Sequence, residues 1–491
     1  MSQWFGAIFL VVVFVILIQL LGLTKKSGDV VRIARHSMKI ISSSKLNDEQ
    51  KESKLQKNSQ KLFGLFFILA FYGAIAILIP LAGLWLCDRL GWLSLADVLD
   101  TTISPTFLIV SSILAIVVLC LKPNQKPRRN TSPASSYSQL DRTLHKVAFN
   151  TYTAQVALAD IEDSMFSQQL AACKSERPVF ITALPRAGTT LLLECCAESP
   201  EFAAHRYRDM PFVLIPCLWN RFSVTFQQTV EAAERAHGDG MQISPDSHEA
   251  LEEVIWKTFW KRHYHQDRII PWDYEHNSEF DDFFRSHMKK IIRLRRQNSS
   301  GFARYISKNN ANIARTKLLR QLFPNSTIIV PFRTPLDHAS SLLQQHLNFL
   351  QIHQVDPFAS EYMKAIGHYD FGQNLRPIDF DGWLDRRESK DAKSLAFWLE
   401  YWIASYQHLL NENAAALEFF DYDELCKNSD RGLKTLAEII KSRDRQSLLS
   451  FASRIRSPKP RDINTHNLPT SLLKEANLIY DRLKDTSTIN C

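Results

Sequence analysis

The chain has 491 residues, enough for two or three domains, and carries 59 Lys and Arg against 51 Asp and Glu for a formal net charge of +8. Its aromatic fraction of 11% is ordinary and no low-complexity tract is long, which excludes wholesale disorder. Much of the positive excess flanks long apolar runs, so membrane topology explains it better than nucleic-acid binding, and no nucleic-acid partner is expected.

Three apolar runs occupy residues 1–121 and predict three transmembrane helices. The first, Trp4 to Leu23, is uncharged, can cross about 30 Å of hydrocarbon, and lacks the basic start and cleavage site of a signal peptide. The second, Leu62 to Cys87, is interrupted by Gly and Pro80, which spanning helices tolerate. The third, Ile103 to Leu121, is shorter and contains Ser. Ten Lys/Arg lie in 24–61 and one, Arg89, lies in 88–102, while Lys122, Lys126, Arg128 and Arg129 follow the third run. The positive-inside rule then predicts an integral, multi-pass membrane protein whose soluble part is cytoplasmic. Residues 122–140 are rich in Pro, Ser and Asn and read as a linker to a soluble domain over 141–491. The eight cysteines form no CxxC pair and no zinc-like spacing with His, so they read as reduced thiols and no metal is expected.

The soluble domain opens on a β-leaning run at 178–183. The loop Leu184-Pro185-Arg186-Ala187-Gly188-Thr189-Thr190 follows, then a helical pattern. Strand, tight loop and helix aim backbone N–H groups and a positive helix end at a phosphate. A Walker A loop is excluded, because Thr189 stands where its Lys belongs and no Gly opens the loop. The cation is Arg186, which can fork onto two oxygens. Downstream, 210–300 is aromatic and charged and reads as helices that could wall an acceptor pocket. Residues 327–332 (TIIVPF) read as a buried strand ending at Arg333. A helix from Pro335 carries Ser340 and Ser341. Another strand is expected at 416–421.

The heptad LPRAGTT resembles the PRSGTT-type loop of PAPS-dependent sulfotransferases (PAPS is 3'-phosphoadenosine-5'-phosphosulfate), with Ala187 where Ser is more usual. The strand-Arg333, helix-Ser341 pattern resembles the 3'-phosphate motif of the same family. In motif style the chain is similar to bacterial sulfotransferase-like proteins and Golgi tyrosylprotein sulfotransferases. The resemblance implies that Arg186, Ala187, Gly188, Thr189 and Thr190 hold the 5'-phosphosulfate, and that Arg333 with Ser341, or Ser340, holds the 3'-phosphate. It implies an α/β fold with a P-loop-type, mostly parallel sheet and helices on both faces. It also implies sulfuryl transfer from PAPS to a hydroxyl or amine of a glycan, lipid or other acceptor, releasing PAP.

In the tyrosylprotein relatives a Glu near the position of His205-Arg206-Tyr207-Arg208-Asp209 is the base. Asp209 is the nearest carboxylate here, and His205 is the alternative because its ordinary pKa lies near neutrality. In the same relatives a Lys holds a matching place upstream of the second phosphate strand, so the resemblance implies Lys308 as the cation on the sulfuryl group, with Asn309 beside it. The late basic run Arg454, Arg456, Lys459 and Arg461 lacks the family's RKG signature and reads as a solvated loop. Two other classes stay open: an atypical P-loop kinase or NTPase, and a catalytically inactive membrane scaffold.

Overall fold

The computed structural model describes residues 2–23, 26, 33, 37, 48–104, 107, 139–223, 233–234, 242–243, 246–295, 303–388, 391–413, 416–456 and 462–488. The chain divides into two units, Met1–Thr131 and Ser132–Cys491.

The first unit is helical. Helix α1 spans Ser2–Leu20 and α2 spans Asp48–Arg89, with Pro80 inside α2. Among the described residues one helix segment, Asn58–Arg89, is long and apolar enough to cross a membrane, with a mean hydropathy of 2.6 over its most apolar stretch. Its large side chains point outward: Phe63, Phe66 and Phe71 are all more than 60% exposed. That pattern suits lipid and would be costly in water. The three expected spans are therefore one among the described residues. The first run gives only a shorter apolar segment, Gly6–Ile18. Apart from Ile103, Ser104 and Phe107, the third run lies outside the described residues, as does most of the linker.

The second unit is built on five parallel strands: β1 Val179–Ile181, β2 Phe202–Ala203, β3 Arg304–Lys308, β4 Thr327–Phe332 and β5 Glu418–Asp421. Their spatial order is β2-β3-β1-β4-β5. Val179 aligns with Ile306 on one side and Thr327 on the other, and Ile329 aligns with Glu418. Strand residues alternate between two apolar layers. Phe180, Tyr305, Ile328, Val330 and Phe419 face one layer, and Val179, Ile181, Ile306, Ile329 and Phe420 face the other. Both faces are covered, as a parallel sheet requires.

Over the first layer lie α3 (Tyr152–Met165), α4 (Glu253–Phe259), α5 (Ser278–Arg295), α6 (Pro335–Val355) and α7 (Leu395–Asn413). The helices Thr189–Ala197 and Ser429–Ile439 cover the second. From β1 the chain runs to the β2-β3 edge, then crosses to β4 on the other side of β1. The switch in direction falls at the carboxyl end of β1, the place where ligands of open α/β sheets bind.

Candidate active site

The loop after β1 is held from three directions. Thr182 extends the sheet, its N–H donating to the Ile329 carbonyl oxygen at 2.9 Å. Arg186 and Gly188 have φ of +70° and +96°. The left-handed region costs a residue with a side chain about 1–2 kcal/mol, so surrounding contacts must hold Arg186 there. One is the Arg333 guanidinium, whose Nη1 donates to the Arg186 carbonyl oxygen at 3.2 Å. Another is His338, whose Nε2 donates to the Pro185 carbonyl oxygen at 2.8 Å. The His338 Nδ1 accepts from the Trp402 indole at 3.2 Å. This arrangement demands a neutral ring with the proton on Nε2. Burial, then Arg333, push the His338 pKa down to about 3, which keeps the ring neutral. Gly188 has a second reason to be glycine: a Cβ there would lie 2.1 Å from the Tyr422 ring.

Arg186, Arg333 and Ser341 come together. The Arg186 Nε donates to the Ser341 hydroxyl at 3.4 Å. Arg333 lies over the Tyr422 ring at 5.2 Å, and its Nε is 3.6 Å from an Asp423 oxygen. Both arginines are half-buried, and Ser341 is buried. Ala187 is fully buried and serves packing, while Thr190 is half-buried at the start of the following helix. The Thr189 hydroxyl donates to the Asn310 side-chain oxygen at 3.4 Å.

Lys308 ends β3, one strand over from the loop, and is half-buried. The turn beyond it is anchored from below. The Asn309 amide N–H donates to the Ile181 carbonyl oxygen at 3.0 Å, and its side chain donates to Glu253 at 2.7 Å. Glu253 is also paired with Arg315, whose guanidinium lies 4.1 Å from the Trp256 ring centre. Satisfied on every side, this buried network fixes the turn that presents Lys308 and Asn310. Two half-buried carboxylates lie near Lys308. Burial would raise Glu249, but His368 and Lys308 hold it below the usual carboxylate range, helped by Tyr207 and the Ala250 N–H. Burial raises Asp370 despite the same two cations.

Asp209 and His205 have the surroundings of structural residues rather than of a free base. Asp209 is 3% exposed and is paired with Arg295. It also accepts the Arg206 amide N–H at 2.9 Å. Burial alone would raise its pKa, but Arg295 and His205 hold it well below the carboxylate range. His205 is buried, its Nδ1 lies 3.3 Å from Asp209, and its Nε2 is hydrogen-bonded to the His287 Nε2 at 3.2 Å. A carboxylate so strongly stabilised as an anion is a weak proton acceptor. Of the late basic run, Arg454 pairs with Glu198 and lies over Phe451, while Lys459 and Arg461 are outside the described residues.

Sequence reasoning missed His338, Asn310, Asp370, Tyr422 and Asp423. His338 had a legible signal, since it sits one helical turn before Ser341. Asp370 had none, because it reaches the cleft from a loop far along the chain.

Residues 178–374 match the model of the sulfotransferase family. No curated protein matches the chain. Among solved structures, it is similar to the sulfotransferase STF9 from Mycobacterium avium at 13% identity, covering 71% of this chain and 84% of that one, with a TM-score of 0.41. It is also similar to the sulfotransferase STF1 from Mycobacterium tuberculosis at 14% identity, covering 71% and 82%, with a TM-score of 0.30. A third similarity is to a sulfotransferase domain from the curacin biosynthetic pathway, at 12% identity, covering 62% and 98%, with a TM-score of 0.29.

Proposed function

From the match of residues 178–374 to the sulfotransferase family, we propose that the chain is a sulfotransferase that transfers the sulfuryl group of PAPS to an acceptor hydroxyl or amine. The observation that carries this reading is the meeting of Arg186, Arg333 and Ser341 at the carboxyl end of β1 and β4. Two half-buried guanidiniums with one nearby carboxylate leave an excess of positive charge in a partly desolvated cleft, which favours an anion. The cradle also fits a phosphate sterically. Gly188 removes the side chain that would otherwise stand in the turn, and the helix from Thr189 begins there with no side-chain cap from its N-cap residue.

In this reading Arg186 and the backbone of Ala187 to Thr190 bind the 5'-phosphosulfate, and Arg333 with Ser341 binds the 3'-phosphate. Bound there, PAPS supplies the sulfuryl group and PAP is the leaving product. Lys308, which ends the next strand beside Ile181, stabilises charge on the transferring group in this reading. His338 holds the loop by its Pro185 carbonyl and keeps Arg186 aimed. The apolar segment Asn58–Arg89 anchors the enzyme in a bilayer. With the third apolar run also crossing, the excess of Lys and Arg in 24–61 over 88–102 and the Lys and Arg at 122–129 support a multi-pass arrangement with a cytoplasmic catalytic domain.

The test is calorimetric binding of PAP to the full-length protein. Wild type should bind, and a protein carrying both Arg186→Ala and Arg333→Ala should not. Equal binding by both would end this reading.

A further inference from the structure

Asp370 sits in a short segment pinned at both ends. Gly367 has φ of +83° and a Cβ there would lie 2.5 Å from the Glu253 side chain. Gly372 has φ of +67°, and a Cβ there would lie 2.6 Å from His353. The Gly372 N–H donates to the His346 Nδ1 and the Gln373 N–H to the His353 Nδ1, both at 3.2 Å. Rigid anchoring of this kind is what a positioned catalytic group needs.

The segment brings the Asp370 carboxylate to the phosphate loop. Asn310 donates to the Asp370 Oδ2 at 3.4 Å and accepts from the Thr189 hydroxyl at 3.4 Å. One amide therefore separates the carboxylate from the loop. Such contacts are commonly long before ligands close the site. Beside Asp370 is a small cavity bordered by Pro185 and Ala311 and walled by Tyr369, Trp398 and Tyr401. Its volume of about 20 Å³ admits one water-sized group, the size of a hydroxyl. The titratable and charged groups around Asp370 and its cavity include His368, Lys308, Glu253 and Arg376.

We propose that Asp370 is the general base of the transfer and that this cavity receives the acceptor's hydroxyl. The inference rests on the sulfotransferase reading. In the step, the acceptor O–H bond breaks and its proton passes to an Asp370 carboxylate oxygen. The freed electron pair forms the new O–S bond. The S–O bond to the 5'-phosphate breaks, and its electrons leave with PAP. Glu249 is poorly suited to this task, because the Ala250 N–H at 2.9 Å and the Tyr207 side chain stabilise its anion. Burial of Asp370 has the opposite effect and favours uptake of a proton.

The experiment uses the full-length protein, radiolabelled PAPS and a total extract of the source cells as acceptor pool. Binding of PAP is followed in parallel by thermal shift. Asp370→Asn is expected to slow label transfer at least 100-fold while PAP still raises its melting temperature as in wild type. Asp370→Glu, which keeps a carboxylate, is expected to recover part of the rate. Transfer by Asp370→Asn at near the wild-type rate overturns the assignment. So does loss of the PAP shift in Asp370→Asn, which marks a structural role. A wild-type protein that binds PAP but labels nothing also overturns it. Failure of the wild type to bind PAP sinks the donor reading itself.

Discussion

The Arg333 guanidinium donates to the carbonyl oxygen of Arg186 at 3.2 Å, although 147 residues separate them in the chain. The bond ties the second phosphate strand to the first phosphate loop, and it holds Arg186 in its left-handed conformation. In the proposed reading Arg333 therefore acts on the donor site twice, as a cation and as a backbone brace. Arg333→Ala should weaken PAP binding by about 100-fold, the ~2–3 kcal/mol of a charge-assisted hydrogen bond. Arg333→Lys should recover only a minor part, because a point charge cannot brace the loop and meet a phosphate together. Isothermal titration of the three proteins reads both effects, and full rescue by Lys would show the brace to be unimportant.

Asp423 serves Arg333 from the other side. One of its oxygens accepts the Thr334 N–H at 2.8 Å and the Thr334 hydroxyl at 2.7 Å, and the other lies 3.6 Å from Arg333. It thus caps the entry to helix α6, which carries His338 and Ser341. Asp423→Ala should cost about 1–2 kcal/mol, the scale of a lost helix cap. Asp423→Asn should retain most of that stability, since the amide oxygen still accepts. Thermal melts separate the two variants, and indistinguishable melting would contradict the capping role.

Gly188 faces both a conformational and a steric limit. At φ +96° an added Cβ would also press to 2.1 Å from Tyr422. Gly188→Ala should abolish detectable PAP binding and destabilise the domain by roughly 1–3 kcal/mol through backbone strain alone. Adding Tyr422→Ala should relieve the clash but leave the strain, so denaturant midpoints should recover only in part. Complete recovery would mean that φ at this position is unimportant.

The parts of the site that were legible in the sequence are those written as local motifs. Arg186 with its loop, and Arg333 with Ser341, each lie on one strand–turn–helix, so local pattern is enough to single them out as candidates. Strand 327–332 was legible in full because it is an unbroken apolar run. Strand β3, Arg304–Lys308, was not, because it begins and ends on cations. Arg304 is tolerated there because its buried guanidinium pairs with Glu201 and donates to the Arg177 and Ile440 carbonyl oxygens at 2.8 and 2.5 Å. Asp209 shows the opposite failure. Its place after the first helix fitted a base, but only the fold reveals that Arg295, distant in sequence, neutralises it. Asp370 and Asp423 reach the cleft through tertiary contacts that no local spacing encodes.

His338 should make the domain sensitive to acid. An unfolded histidine takes its proton near pH 6.5, whereas the buried His338 resists until about pH 3. Between those values the unfolded chain binds more protons than the native one. Stability is therefore complete above pH 6.5 and is lost as pH falls, by about 1.4 kcal/mol per pH unit for a single site. His346, pushed by burial down to about 4, adds to the slope over the same range. Asp209 does not act there, because a carboxylate with a lowered pKa loses its contribution only as pH falls below the ordinary carboxylate range. His338→Gln removes this titration alone: a glutamine can donate to the Pro185 carbonyl and accept from Trp402 without taking a proton. Urea midpoints measured from pH 7 to pH 4 should decline less steeply for His338→Gln than for wild type, with the curves closest near neutrality. Parallel slopes would mean that His338 is already charged in the native protein, and the Nε2–Pro185 and Nδ1–Trp402 hydrogen bonds could not both exist.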